Sequence, residues 1–251
     1  MRRLFSHLRP FLLDATTVAT LAVVLTTLAS VPVVFATPPD PDAPELAGQE
    51  RVDTLIARIK HEQEKLTALK ADFVQNKESQ LLLEPEQARG SFAYRSPDEA
   101  RWEFVEPDST LMVITGEEMV TWYRDLGTAE RVDVGKQSAK IAEYLNASNS
   151  LAKLERYFDF TVAFPNDETT PYRIELTPRF ARVEKRLRGM TIWFDRELFV
   201  PVRLWYEEAD GDTTEYLFES IEVNPPLTDD MFALELPADV EVRTVAFGAG
   251  R

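Results

Sequence analysis

Residues 90–104, GSFAYRSPDEARWEF, contain the pattern that decides the fold. Phe92 and Tyr94 alternate with small residues, and Trp102 and Phe104 alternate with charged ones. Apolar residues at every second position are typical of a β-strand that buries one face. The stretch therefore predicts two consecutive strands, each with its large side chains on one face.

The same alternation recurs along most of the chain. Further strand-like stretches lie at 111–114, 120–122, 128–134, 172–176, 190–194, 200–206 and 216–218. A final segment at 231–242 is expected to attach the C-terminal part of the chain to the domain. Helical spacing predicts a helix over 49–69, a second over 136–145 and a third that carries Leu151, Leu154 and Phe158. Strands and helices do not alternate along the chain, as they would in a parallel α/β fold. We therefore expect about ten strands in an antiparallel meander that curls into a barrel or half-barrel.

The N-terminus has the composition of an export signal. Three arginines open the chain, and the stretch from Ala15 to Ala36 carries no charge. A retained membrane anchor is the rival interpretation, but the threonines and the Val-x-Ala ending favour cleavage after Ala36 and an exported protein. The predicted domains are a signal peptide (1–36), a Pro-rich linker (37–48), a single domain (49–245) and a disordered tail (246–251).

Composition limits the chemistry that the chain can perform. The net charge of −15 disfavours nucleic acid and anionic lipid as general partners. The chain has no cysteine, and beyond the signal it has only His61, so a thiol nucleophile and a His/Cys metal cluster are excluded. We expect no cofactor and no enzymatic activity. An acid/base hydrolase stays a distant alternative because carboxylates are plentiful.

Several segments, taken in order, match the pattern of one known family. They comprise LKADFVQ at 69–75, the stretch 90–104, the segment 116–123, the helices over 136–157 and the closing part from 200 to 232. Together they resemble the periplasmic lipoprotein carriers of the LolA family over about residues 55–244. Trp122 is followed directly by Tyr123, whereas the family has Trp-x-Tyr, and this departure leaves the facing of the strand open.

The resemblance implies an unclosed antiparallel barrel of about eleven strands with a helical lid over an apolar cavity. It also implies a chaperone that takes lipoprotein acyl chains from an inner-membrane releasing complex and hands them to an outer-membrane receptor. In the family, an arginine directly before a strand-turn proline helps to hold the lid closed. Here Ser96 separates Arg95 from Pro97, and alternation would point Arg95 to the opposite face. Arg95 and Arg101 are therefore both candidates for this latch.

Helices that lie across a curved apolar sheet can enclose a pocket for an apolar guest, although a solid core without a guest is the alternative. The expected lining combines strand and helix residues: Trp102, Phe104, Val120, Trp122, Tyr144, Phe158, Ile192 and Phe194. Ordinary core packing is the alternative for each of them.

Two further questions stay open at the level of sequence. A sensor or regulatory domain that binds lipid on the same scaffold is the second functional class, because a fold alone does not fix its use. A basic cluster lies within residues 179–188: Arg179, Arg182, Lys185, Arg186 and Arg188. It is either a solvated hairpin tip or a surface that meets an acidic partner or lipid headgroups. We expect the protein to be a monomer.

Overall fold

The computed structural model describes residues 38–79, 84–134, 151, 154–167 and 169–245 of the 251-residue chain. The predicted signal peptide, the predicted helix over 136–145 with Tyr144, and the predicted tail lie outside the described residues. Within the described ranges, no helix is long and apolar enough to cross a lipid bilayer.

Twelve strands account for about half of the described residues. They are β1 (Ala68–Glu78), β2 (Glu86–Arg95), β3 (Glu99–Glu106), β4 (Thr110–Thr115), β5 (Glu118–Tyr123), β6 (Thr128–Asp133), β7 (Phe158–Ala163), β8 (Tyr172–Pro178), β9 (Leu187–Phe194), β10 (Pro201–Glu208), β11 (Thr213–Val223) and β12 (Glu241–Val245). Two α-helices have both ends within the described residues: α1 (Gly48–Glu64) and α2 (Ala181–Glu184).

All twelve strands belong to one open sheet with the order β12-β6-β5-β4-β3-β2-β1-β11-β10-β9-β8-β7. The antiparallel meander is confirmed, and β1 joins its two halves by pairing with β11. The count exceeds the predicted eleven because the C-terminal segment adds β12, which pairs in parallel with β6. In this pair, the C-terminal strand β12 runs in the same direction as β6.

Helix α1 packs by an apolar stripe on one face of the sheet. Leu55 and Ile59 are fully buried, and they belong to a cluster with Ile174, Ile192 and Phe194 of the sheet. The helix ends at Glu64 rather than near residue 69, because the chain turns there and residue 69 is already in β1. Apolar periodicity alone did not separate these two elements.

The third predicted helix is shorter than expected. Phe158, expected on its apolar stripe, is instead the first residue of β7 and pairs with Pro178. The spacing of Leu151, Leu154 and Phe158 fits a helix, but alternation from Phe158 through Phe160 fits a strand equally well. Pairing with β8 decides between the two.

Candidate functional site

The register of the sheet fixes which side chains share a face, because directly paired residues project from the same side. We call one side the apolar face. Its large side chains are Leu69, Phe73, Phe92, Tyr94, Trp102, Phe104, Phe158, Ile174, Leu176, Ile192, Phe194, Tyr216 and Phe218. The apolar face therefore crosses both halves of the sheet, from β3 to β7.

The half of the apolar face that lies under α1 is filled by protein. Phe158 is 5% exposed, Ile192 is 5% exposed and Phe194 is fully buried, and all three pack in the same cluster as α1. These residues were predicted to line a cavity. They lie on the predicted face, but as parts of the core beneath α1, because the helix stripe covers them.

The other half, which we call the aromatic half, consists of Phe73, Phe92, Trp102, Phe104, Tyr216 and Phe218. Phe73 lies at its centre, with ring centroids 5.2 Å from Trp102, 5.1 Å from Phe104 and 5.9 Å from Tyr216. Trp102 also approaches Phe92 at 4.8 Å. Phe73 and Phe92 are buried, whereas Trp102, Phe104, Tyr216 and Phe218 keep part of their surface accessible. An incompletely covered aromatic surface is able to pack against an apolar guest.

Gly90 allows the aromatic half to form. It pairs with Phe73, and a Cβ atom added at this position would lie 2.6 Å from Cζ of Phe73 and 2.0 Å from the carbonyl oxygen of Glu103. The absence of a side chain therefore lets the Phe73 ring lie directly over the β2 backbone.

Two polar groups lie within the aromatic half. The indole Nε1 of Trp102 is buried and has no hydrogen-bond partner among the described residues. The hydroxyl of Tyr216 accepts a hydrogen bond of 2.5 Å from Nε2 of Gln75, and burial raises the pKa of Tyr216 to about 12. Trp102 therefore keeps a buried, unpaired N–H donor within the aromatic half, and Tyr216 keeps a neutral hydroxyl there.

Gln63 extends the buried stripe of α1 by one turn beyond Ile59. Its side chain is only 2% exposed, and neither amide atom has a hydrogen-bond partner within the described ranges. Burial of an amide without a partner costs about 1–3 kcal/mol. A residue that costs stability in this way is a candidate for contact with a polar part of a guest.

Replacing Gln63 by leucine is expected to raise the free energy of unfolding by about 1–2 kcal/mol, because it removes two unpaired buried polar atoms at similar volume. Urea denaturation followed by tryptophan fluorescence measures the change. Gln75→Leu is the matched control: its amide bonds to Tyr216, so the same replacement there should lower stability. A lower unfolding free energy for Gln63→Leu would contradict the interpretation.

Val120 and Trp122, both predicted to line the cavity, lie on the opposite face. Val120 pairs with Val113, and Val113 pairs with Arg101, whose neighbour Trp102 is on the apolar face. Trp122 pairs in the same way with Leu111. The prediction for these two residues was wrong, because alternation fixes faces within a strand but not between strands. They contribute instead to a second apolar layer with Leu111, Val113 and Ala129.

Arg95 and Arg101 lie on this opposite face as well, and they hold the C-terminal segment. Arg95 donates to the carbonyl of Leu227 at 3.1 Å, forms an ion pair with Asp229 at 2.8 Å and lies 4.9 Å from the ring centroid of Phe232. Arg101 donates to the carbonyl of Met231 at 3.2 Å. The two latch candidates therefore fasten residues 227–232 across the opposite face, and their facing separates them from the aromatic half.

Tyr216 and Phe218 were not among the predicted site residues. Both stood out as alternating aromatic residues of a strand, but only the pairing of β11 with β1 brings them beside Phe73. This pairing joins residues about 140 positions apart, such as Gln75 and Tyr216. Local sequence patterns carry no signal for such a contact.

A groove of about 830 Å³ opens between α1 and the edge strand β7. Its floor is apolar, with Val52, Ile56 and Phe160 among the lining residues, and its rim is charged. Lys60 on α1 pairs with Glu155 at 2.8 Å across one end. Across the described part of the chain, no group of three or more His, Cys, Asp or Glu side chains is arranged to hold a metal ion.

The family model described as "Outer membrane lipoprotein carrier protein LolA" matches residues 64–235, more than half of the chain. The chain belongs to the LolA family. An outer-membrane lipoprotein carrier protein of Dechloromonas aromatica is 29% identical over 208 residues, which cover 79% of this chain and 90% of that relative. The carrier of Alkalilimnicola ehrlichii is 26% identical over 208 residues, or 83% of this chain and 90% of the relative.

Comparison with solved structures finds a protein of similar fold. An uncharacterized conserved protein from Thermus thermophilus aligns with a TM-score of 0.50 at 13% identity, over 74% of this chain and 97% of that one. At this identity the likeness concerns the fold alone. The LolA family match covers β1 to β11 and ends before β12.

Proposed function

We propose that this LolA-family protein is a periplasmic carrier that binds the acyl chains of lipoproteins on the aromatic half and moves them from the inner to the outer membrane. The observation that carries the proposal is the incompletely covered aromatic half, on the same face as a filled core. Within the lining set proposed from the sequence, Trp102 and Phe104 have the required facing and exposure.

The energetics of acyl binding suit a carrier. Each buried methylene contributes about 0.8 kcal/mol relative to water, so an acyl chain on an apolar surface gains about 10 kcal/mol. A bilayer offers the chain a similar gain, so loading and delivery need differences of only a few kcal/mol between states of the protein. A helical lid that opens and closes over the aromatic half would give the protein these two states. This lid is part of the proposal.

The polar groups of the site suit the other end of the guest. The ester and amide carbonyls of an acylated lipoprotein accept hydrogen bonds, and Trp102 Nε1 and the Tyr216 hydroxyl can donate them. The donor is proposed to be an inner-membrane releasing complex, and the acceptor an outer-membrane receptor. No step of this cycle needs a bond to be made or broken, so the proposal assigns no catalytic residue.

Tryptophan substitutions on the two faces test where the guest binds. Binding of a fluorescent fatty acid is expected to weaken about tenfold or more in Trp102→Ala, since loss of an aromatic contact costs about 1–3 kcal/mol. Trp122→Ala is the matched control, because Trp122 is also half-buried but lies on the opposite face. Its affinity should stay within about twofold of wild type. Equal weakening in both variants would refute binding on the aromatic half.

A second experiment separates the carrier from a lipid-binding sensor. A photo-crosslinker placed at exposed positions of the periplasmic protein should capture an inner-membrane releasing complex if the protein is loaded there. Mass spectrometry of protein purified from its native compartment should identify acylated lipoprotein as the guest. Bound lipid without any crosslink to a releasing complex would favour the sensor instead.

A further inference from the structure

An exposed aromatic pair is formed by Phe180, in the connection between β8 and β9, and Tyr157, directly before β7. Phe180 is 50% exposed and Tyr157 is 39% exposed, and they are the two exposed aromatic residues in the described part of the chain. Their ring centroids lie 6.5 Å apart, and the Arg179 amide donates to the Tyr157 carbonyl at 2.8 Å. The backbone therefore holds two large rings side by side at the surface.

Three exposed cations follow Phe180 closely in the chain. Arg182, Lys185 and Arg186 are all exposed, on or directly after α2. The two outer members of the basic cluster are already neutralised, since Arg179 pairs with Asp159 and Arg188 pairs with Glu207, both at 2.7 Å. Within the described ranges, the three inner cations form no ion pair, and Glu184 is the one acidic residue within their own run.

We infer that this basic–aromatic patch, made of Tyr157, Phe180, Arg182, Lys185 and Arg186, docks reversibly on the headgroup surface of an anionic membrane. Basic side chains beside a membrane gain from its negative potential, and aromatic rings favour the headgroup level, where one end is apolar and the other is wet. Both parts of the patch fit this surface, because the cations would face lipid phosphates while the two rings enter the apolar boundary beneath them. An acidic protein partner is the alternative that the experiment below addresses.

The rest of the molecule makes this docking weak and oriented. A net charge of −15 repels the remaining surface from anionic lipid, so the patch is the part that approaches the membrane. Arg179, which bonds to the backbone beside Tyr157, also lines the groove between α1 and β7. Docking through the patch would therefore bring the mouth of this groove to the headgroup surface. The inference extends the proposed carrier function with a membrane contact, but vesicle binding itself does not require an acyl guest.

Vesicle cosedimentation of the mature protein tests the inference, with phosphatidylcholine vesicles that contain or lack phosphatidylglycerol. Wild type is expected to bind the anionic vesicles, and more weakly at high salt. The triple variant R182E/K185E/R186E is expected to lose about tenfold or more in vesicle affinity. Phe180→Ser should weaken binding while leaving its salt dependence in place.

The matched control is K70E/R131E/R243E, which makes the same change in net charge at exposed positions on β1, β6 and β12. It should bind anionic vesicles within about twofold of wild type. Equal loss in both triple variants would mean that net charge alone acts, and it would overturn the inference. Failure of wild type to bind anionic vesicles would also overturn it, including a result in which only an acidic protein binds the patch.

The fluorescent fatty acid assay without vesicles keeps this inference separate from the proposed function. Patch variants should bind the fatty acid as wild type does, because the patch lies outside the aromatic half. If wild type docks on vesicles but binds no fatty acid, the carrier function fails and the docking surface stands. If wild type binds the fatty acid but does not bind the vesicles, the docking surface fails and the carrier function stands.

Discussion

Replacing Phe73 with alanine is expected to lower the free energy of unfolding by about 3–5 kcal/mol. Phe73 is 2% exposed and has three aromatic neighbours within 6 Å between ring centroids. Its pairing with Gly90 of β2 and Phe218 of β11 places it where the two halves of the sheet meet. A cavity at this position would therefore weaken the joint between the halves as well as the packing.

Urea denaturation of the mature protein measures the effect as a shift in midpoint. Phe180→Ala is the matched control, because the same deletion at a half-exposed ring should change stability by no more than about 0.5 kcal/mol. Since Phe73 supports Trp102 and Phe104, Phe73→Ala should also weaken fatty acid binding. Similar stability losses in the two variants would show that the aromatic half is not a structural joint.

Replacing Asp42 with asparagine is expected to lower the free energy of unfolding by about 2–3 kcal/mol at neutral pH. The Asp42 carboxylate forms ion pairs with Arg51 at 2.7 Å and Arg196 at 2.6 Å, and it accepts a hydrogen bond from the Tyr172 hydroxyl. These contacts fasten the segment before α1 to β8 and to the turn after β9. The structure thus attaches the predicted linker to the domain at Asp42, and the neighbouring Pro41 is buried.

The contribution of Asp42 depends on pH in a defined direction. Burial opposes ionisation, but hydrogen bonds from Tyr172, Arg196 and Arg51 outweigh it and hold the pKa of Asp42 below its ordinary value. A carboxyl group with a lowered pKa in the folded state stabilises the fold above its unfolded pKa, about 3.9, and this stabilisation is lost as pH falls through the folded pKa.

Thermal unfolding of wild type and Asp42→Asn across acidic pH checks the sign. The difference in stability should be full above about pH 4 and should shrink at lower pH, where Asp42 is protonated in both states. Glu45→Gln, at an exposed position of the same segment, should match wild type throughout. A difference between wild type and Asp42→Asn that stays constant down to the lowest pH would contradict the role of the ionised carboxylate.

The C-terminal segment gives the sheet a second covered face. Residues 227–232 lie against Arg95 and Arg101, and β12 then pairs with β6 at the edge of the sheet. The segment therefore contacts the opposite face at β2 and β3 before it joins the sheet beside β6. The aromatic half, on the other side, does not depend on this cover, so the two faces can serve different purposes: structure on one and binding on the other.

The sequence by itself determined most of the strands, the position of the first helix and the family. Alternation within 90–104 places Phe92, Trp102 and Phe104 on one face of their strands, and helical spacing finds the buried stripe of α1. These features follow from local periodicity, because successive side chains point to opposite faces in a strand and recur every three or four residues in a helix.

Only the tertiary structure decided how the strands face one another and what covers each face. Trp122 alternates as regularly as Trp102, yet the register through β4 places them on opposite faces. Phe194 and Trp102 share a face, but α1 buries one and leaves the other partly accessible. The physical reason is that register, strand order and helix docking depend on contacts between residues far apart in the chain, such as Phe73 with Phe218, and no local pattern encodes them.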